Sequence, residues 1–166
     1  MIRVLVEDLA FVSADAVLRP ANELLEPVTP AMSRLDNLAG AEFTRLRRVQ
    51  TPLDPGAAVV TGAGSLSSPF VLHIVIRSQD TAVTAEGVQR ALTSAWQRAA
   101  DWGLARLAAP LVGAGAGALD REEAARILAE SFRRRTTASG FPSELTIVVD
   151  HADERALVEQ AIGMSS

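Results

Sequence analysis

The segment that most restricts what this chain can fold into runs from Arg106 to Phe132, RLAAPLVGAGAGALDREEAARILAESF. A short apolar run, Leu107 to Val112, passes through Gly113-Ala-Gly115-Ala-Gly117 and enters a helical pattern at Asp120, the order strand, glycine loop, helix. A loop of Gly and Ala has no side-chain chemistry, so whatever it holds is held by backbone N–H groups that glycine lets a ligand approach. Beside a helix N-terminus such amides favour an anion, because unpaired donors and the helix dipole act together. Phosphate is the ligand this points to. The alternative is that the glycines only permit a tight turn from strand to helix. The spacing Gly113-x-Gly115-x-x-Ala118 formally fits the dinucleotide fingerprint. That fingerprint, however, normally follows the first strand with an acid about 20 residues on, and this loop comes late. A P-loop is excluded, since Asp120-Arg121 stands where Lys-Ser/Thr is needed.

The rest of the chain alternates in the same way. Apolar, β-prone runs at Ile2 to Val6, Ala14 to Leu18, Ala57 to Thr61, Phe70 to Ile76 and Leu145 to Val149 read as strands. The second is bounded by Arg19-Pro20, since the residue before proline is pushed out of helical geometry. Met32, Leu35, Leu38 and Ala39 give a helical face that stops at Gly40, with Leu46 and Val49 extending it. From Thr84 to Gly103 the apolar spacing is helical, and Gly103 is a natural stop. Asp120 with Glu123 resembles a capping box, and Arg133-Arg134-Arg135 is expected in the last turn of that helix, complementing its dipole. A last helix is expected over Asp153 to Ile162. Strands alternating with helices predict a three-layer α/β/α sandwich around a largely parallel sheet. The strands at 57–61 and 70–76 have no helix between them, so the sheet is expected to be mixed.

At 166 residues the chain is expected to be one domain, residues 1–166. It has no cysteine and two histidines, His73 and His151, which removes thiol chemistry and leaves too few ligands for a histidine zinc site. No metal and no cofactor are expected. A net charge of −4 gives no general attraction to nucleic acid. No apolar run approaches the length of a membrane span, and the acidic pair Glu7-Asp8 argues against a signal peptide. A cytoplasmic location is the expectation.

The order of these features resembles the macro domains, a family that binds ADP-ribose. Val6-Glu7-Asp8-Leu9 is similar to the family's Gly-Asp-Ile element after strand one, and Asp15-Ala-Val-Leu-Arg-Pro-Ala-Asn22 to its Asp-Ala-Ile-Val-Asn-Ala-Ala-Asn run. Asn37-Leu-Ala-Gly40 is similar to a later Ala-Ala-Gly. Ala58-Val-Val-Thr61-Gly-Ala-Gly-Ser-Leu66, then Phe70-Val-Leu-His73, resembles Ala-x-x-Thr-x-Gly-x-x-Leu, then Tyr-Val-Ile-His. Pro110 to Ala118, then Glu122-Glu-Ala-Ala125, resembles Pro-Ala-Ile-Ser-Thr-Gly-x-aromatic-Gly, then Glu-Glu-Ala-Ala.

The resemblance implies a ligand, ADP-ribose or a related nucleotide, and with it ADP-ribosylated macromolecules as partners. It implies that Asp8, with Leu9 beside it, selects adenine. Val112, Gly113, Ala114, Gly115, Ala116 and Gly117 would hold phosphate, and Asn22 would lie by the distal ribose, the one residue to which a catalytic role could fall. His151 is placed to stack on the adenine, and His73 reads as a satisfied buried histidine. Simple structural roles stand beside these, with Asp8 capping a loop and Asn22 capping a helix.

The departures bear on activity. Pro27, Val28, Thr29 and Pro30 stand where the family has four glycines, Ala31-Met32 where hydrolytic members have Val-Asp, Arg19 in place of the first Asn, and Gly117 in place of an aromatic. Prolines carry no N–H. A lost hydrogen bond to a charged group costs roughly 1.5 to 3 kcal/mol, so two losses weaken binding by about two to four powers of ten. Met32 cannot accept a proton as a carboxylate can, and Glu26 is the nearest acid in the chain. The expectation is therefore a weak binder of ADP-ribose, with two alternatives, an ADP-ribosyl hydrolase or O-acetyl-ADP-ribose deacetylase, and a non-binding interaction module. A dinucleotide oxidoreductase fits least.

Overall fold

The computed structural model describes residues 1–115 and 119–164. Among them are six strands and five α-helices in the order β1 (Ile2–Val6), β2 (Ala16–Ala21), α1 (Pro30–Ala39), α2 (Ala41–Leu46), β3 (Ala58–Gly62), β4 (Phe70–Val75), α3 (Ala85–Trp102), β5 (Arg106–Ala109), α4 (Arg121–Ser139), β6 (Glu144–Val149) and α5 (Ala152–Ala161). A single 3-10 turn, Leu9–Phe11, follows β1.

Most boundaries are where local chemistry sets them. Thr84 Oγ1 accepts from the Gly87 amide to open α3, and Gly103 in the left-handed region closes it. Asp120 Oδ1 accepts from the Glu123 amide to open α4. Two expectations are corrected. Arg133 to Arg135 do not occupy the last turn of α4, because Thr136-Thr-Ala-Ser139 carries the helix on to Gly140. And β2 does not stop at Leu18 but runs through Arg19-Pro20 to Ala21. It pairs with β4 along its whole length, Ala16↔Phe70 to Ala21↔Val75, and with β5 only at Ala16↔Leu107 and Val17↔Ala108. Beyond Val17 one edge of β2 is therefore open, which is where a strand tolerates proline.

The sheet order is β1-β6-β5-β2-β4-β3, parallel throughout except for β3, which runs antiparallel to β4 at one edge. The mixed, largely parallel three-layer sandwich is as the sequence predicts. Alternate strand residues feed opposite faces. Leu18, Ile74, Leu107 and Ile147 pack under α3, α4 and α5, against Leu92, Trp96, Leu128 and Phe132. Val17, Ala108 and Val148 pack instead against Leu9, Met32 and Leu35 on the α1 side. Buried Ala91, Ala95 and Ala99 bring α3 close to the sheet, and Trp96 keeps its one polar atom satisfied by donating Nε1–H to Ser131 Oγ at 2.8 Å.

The chain leaves β2 for β4 and β3 on one side, then crosses back to β5 and β6 on the other. The strand order thus reverses between β2 and β5, the same place where their ladder ends after two residue pairs. In open α/β sheets the crevice at such a reversal, past the C-terminal ends of the strands, is where ligands bind.

Candidate functional site

A cleft of about 650 Å3 occupies that crevice, within the roughly 300–1,000 Å3 usual for small-molecule sites. Its floor and walls come from Glu7 to Leu9 after β1, Pro20 in β2, the Val28 to Leu35 segment, Ile76 after β4, the residues following β5, and the end of β6 through His151.

Of the residues singled out from sequence, Asp8, Leu9, Gly113, Ala114, Gly115 and His151 all line this one cleft, though they lie up to 143 positions apart. Ala116 and Gly117 lie outside the described residues. Val112 does not line the cleft. It is fully buried in the main core and supports the loop from behind.

Asn22 is not in the cleft wall either. Its Oδ1 accepts from the Leu24 and Glu26 amides at 3.0 and 2.9 Å, and its Nδ2 donates to Glu26 Oε1 at 3.0 Å. The side chain closes the 22–26 turn, as Asn does when it bonds to the backbone just ahead of it.

The glycine loop is partly structural. Gly113 has φ +92°, and a Cβ there would meet Leu119 Cδ1 at 2.7 Å and Val88 Cγ2 at 3.1 Å. The Ala114 amide donates to the Leu111 carbonyl at 3.1 Å, so the expectation that all the loop amides face a ligand fails at this position. Gly115 is different. It is exposed, and a Cβ built on it would sit in van der Waals contact with Thr29 Cγ2, at 3.8 Å, so the glycine loop and the proline-bearing segment approach one another closely at this end of the cleft.

That opposite wall is the N-terminus of α1. Thr29 caps it, Oγ1 accepting from Met32 N at 3.2 Å, and Pro30 occupies its first turn. Pro30 lines the cleft and brings no donor, whereas Pro27 bridges to Ala21 and does not line it. Among the described residues the Ala31 amide has no partner. The Met32 side chain is buried among Leu9, Leu35 and Val148 and brings no acid or base to the wall it joins.

Asp8 does two things at once. Its Oδ1 accepts from Ala10 N at 3.0 Å, capping the 3-10 turn, and its Oδ2 accepts from Arg34 Nε and Nη2 at 3.1 and 2.9 Å. Arg34 is 65% exposed and also lines the cleft. At α4 and α5 a second pair, Arg121 Nε to Glu154 Oε2 at 3.3 Å, lines it too. Neither arginine stands out in the sequence, because the partners are 26 and 33 residues away. His151 precedes α5 with an exposed side chain that makes no cap hydrogen bond, leaving its ring face accessible.

Behind the α1 wall lies a buried polar network that sequence reasoning passed over. Arg19, wholly buried, donates Nε and Nη2 to Asp36 Oδ1 and Oδ2 at 2.8 and 2.7 Å, and Nη1 to the Leu25 carbonyl at 2.8 Å. The same Nη1 is 3.2 Å from His73 Nδ1, and His73 Nε2 is 2.8 Å from Thr61 Oγ1. Since Arg19 can only donate, Nδ1 accepts and Nε2 carries the proton. Burial first, then the charges of Arg19 and Arg47, push the His73 pKa well below its ordinary value, so the ring is neutral. The Phe43 ring stacks on it with centroids 5.6 Å apart, and the Arg19 guanidinium lies 5.7 Å from the same ring. Leu25 adopts φ +60° to aim its carbonyl at Arg19 and Arg47, a backbone state that costs a non-glycine residue about 1–3 kcal/mol. The available signal was Asp36 on the apolar stripe of α1, with Met32, Leu35 and Ala39. A charge in that position demands a buried partner.

A family model described as Macro domain matches residues 28–128. An uncharacterised protein of Aeropyrum pernix is 32% identical over 120 residues, covering 72% of this chain and 64% of the relative. An uncharacterised protein of Mycobacterium tuberculosis is 25% identical over 132 residues, 80% of this chain but 37% of the relative, so this chain spans less than two thirds of either. Among solved structures, a Trypanosoma brucei macrodomain in complex with ADP-ribose superposes with a TM-score of 0.85 at 18% identity, over 98% of this chain and 69% of that one.

Proposed function

Because the chain belongs to the macro domain family, we propose that its cleft binds ADP-ribose or a related adenine nucleotide, free or as the modification on a macromolecule, and binds it weakly. The observation that carries the reading is the convergence of Asp8, Leu9, Gly113 to Gly115 and His151, drawn from three different strand ends, on one cleft of about 650 Å3. Asp8 supplies an acceptor for the adenine amino group, the exposed ring of His151 a surface for the base, and the Gly115 side of the loop an approach for the diphosphate.

Weak binding is argued from the α1 wall. Of the two prolines only Pro30 faces the cleft, so one donor to the diphosphate is missing rather than two. At roughly 1.5 to 3 kcal/mol for that hydrogen bond, the loss amounts to about one to two powers of ten in affinity. Hydrolysis is disfavoured by the same geometry. Asn22 is committed to its turn by three hydrogen bonds, and the cleft presents the apolar Met32 where a carboxylate would be needed to activate water.

Calorimetric titration with ADP-ribose, ADP and AMP tests the reading. The expected result is a dissociation constant nearer millimolar than micromolar, tightening from AMP to ADP-ribose. No heat from any of the three at several millimolar would overturn it, and turnover of an ADP-ribosylated protein would replace it with the hydrolase.

A further inference from the structure

Resting on that reading, we infer that Arg34 is the residue that makes the cleft select adenine over other purines, by positioning Asp8 and rationing its acceptor sites. The Asp8 carboxylate offers about two acceptor sites on each oxygen. Both sites of Oδ2 are filled by Arg34 Nε–H and Nη2–H, and one site of Oδ1 by the Ala10 amide. A single site, on Oδ1, is left for a ligand.

Beside it stands a donor. A guanidinium carries five N–H groups and Arg34 spends two of them on Asp8. The others point from a side chain that is 65% exposed and forms part of the cleft wall. Asp8 and Arg34 both line the cleft, so one ion pair brings to it a free acceptor site and unspent donors. A planar fork also fixes their relative orientation in a way that a lysine ammonium would not.

That pattern matches one purine edge. Adenine carries its amino donor next to the N1 acceptor. Hypoxanthine carries the reverse, an oxygen in place of the amino group and an N–H at N1, and a base tethered through its ribose cannot exchange the two by a small rotation. Guanine presents two neighbouring donors, N1–H and the 2-amino group, to a carboxylate with one site to spare. A mismatched edge sets oxygen against carboxylate and N–H against guanidinium, so both contacts are lost together.

The test is calorimetry on the whole chain with ADP, IDP and GDP, for the natural protein and for Arg34→Gln, which keeps the stem length and removes both charge and fork. The natural protein is expected to prefer ADP over IDP by about five- to a hundredfold, the range for a two-point base contact. In Arg34→Gln, shown folded by its thermal melt, the ratio is expected to collapse to within about twofold, with ADP losing more than IDP. A role for Arg34 in general anion attraction would weaken both nucleotides alike and keep the ratio, which overturns the inference. So does equal binding of ADP and IDP by the natural protein. If the natural protein binds ADP-ribose but ignores the base, the inference alone fails. If it binds none of these nucleotides, the proposed function fails and takes the inference with it.

Discussion

At the scale of single residues the chain spends its most costly chemistry where no ligand reaches. A buried ion pair recovers its desolvation only when every remaining polar atom is satisfied. Arg19 comes close to that state, each of its nitrogens partnered by Asp36, the Leu25 carbonyl or a neutral His73, while Arg47 Nε, 3.2 Å from the same Asp36, is left without a hydrogen bond. The arrangement fixes the end of β2 to α1 and to the 22–26 turn, and so sets the wall that carries Pro30 and Met32. It also makes stability depend on pH in a definite direction. His73 in the folded chain has its pKa held well below the ordinary 6.5, whereas in the unfolded chain it takes up a proton near that value. Below about pH 6.5 the unfolded state therefore binds more protons at this position. Stability contributed by a neutral His73 is complete above pH 6.5 and falls on acidification, by at most about 1.4 kcal/mol per pH unit. The groups facing the ring are Arg19, Arg47, Thr61 and Phe43, none of which titrates in that window. Denaturant unfolding at pH 5, 6, 7 and 8 is expected to show this slope in the natural protein and a shallower one in His73→Gln. Equal slopes would mean that the ring is already charged in the fold.

At the scale of elements, the two glycines described in the loop after β5, Gly113 and Gly115, have separate jobs, and substitution separates them. In Gly113→Ala the new methyl collides with Leu119 and Val88 at a residue with φ +92°, and a loss of about 2–5 kcal/mol is expected, the sum of overpacking and backbone strain. Gly115→Ala, with φ +74° but only ordinary van der Waals contact, 3.8 Å, between the new Cβ and Thr29 Cγ2, is expected to cost about 1–2 kcal/mol from backbone strain alone and to act also on nucleotide affinity. Chemical unfolding of both variants beside one titration decides it, and a Gly115→Ala protein with unchanged affinity would show that this loop does not meet the phosphates. The elements themselves were legible because their signals are local. Thr84 and Gly103 bracket α3 and Asp120 opens α4, all by chemistry within a few residues, whereas β5 stops at Ala109, short of the apolar run that reaches Val112. What escaped is non-local. Pro20 reads as a strand breaker until β5 is seen to let go of β2 after Val17. Asn22 reads as a ribose contact until the turn it closes takes three of its hydrogen bonds. Arg34 is one surface arginine among many until folding brings it to Asp8 across 26 residues.

At the scale of the whole molecule, the cleft belongs to no single element. Its walls are the ends of β1, β2, β5 and β6 together with α1 and the starts of α4 and α5, and those strands are neighbours in one sheet. A ligand that bridges them grips only the assembled fold, so it must raise the stability of the whole by RT ln(1 + [L]/Kd). At ten times the dissociation constant that is about 1.4 kcal/mol, which for a chain of 166 residues shifts the melting temperature by about 3–6 °C. With the weak binding argued from Pro30, the shift is expected to appear only in the millimolar range of ADP-ribose and to grow with the logarithm of its concentration. Ribose 5-phosphate, which lacks both the base and the diphosphate, is expected to leave the melting temperature unchanged at the same concentrations. An equal shift with inorganic pyrophosphate alone would assign the effect to a simple anion at Arg34 or Arg121, and the base-reading half of the cleft, Asp8 with His151, would then contribute nothing to the grip.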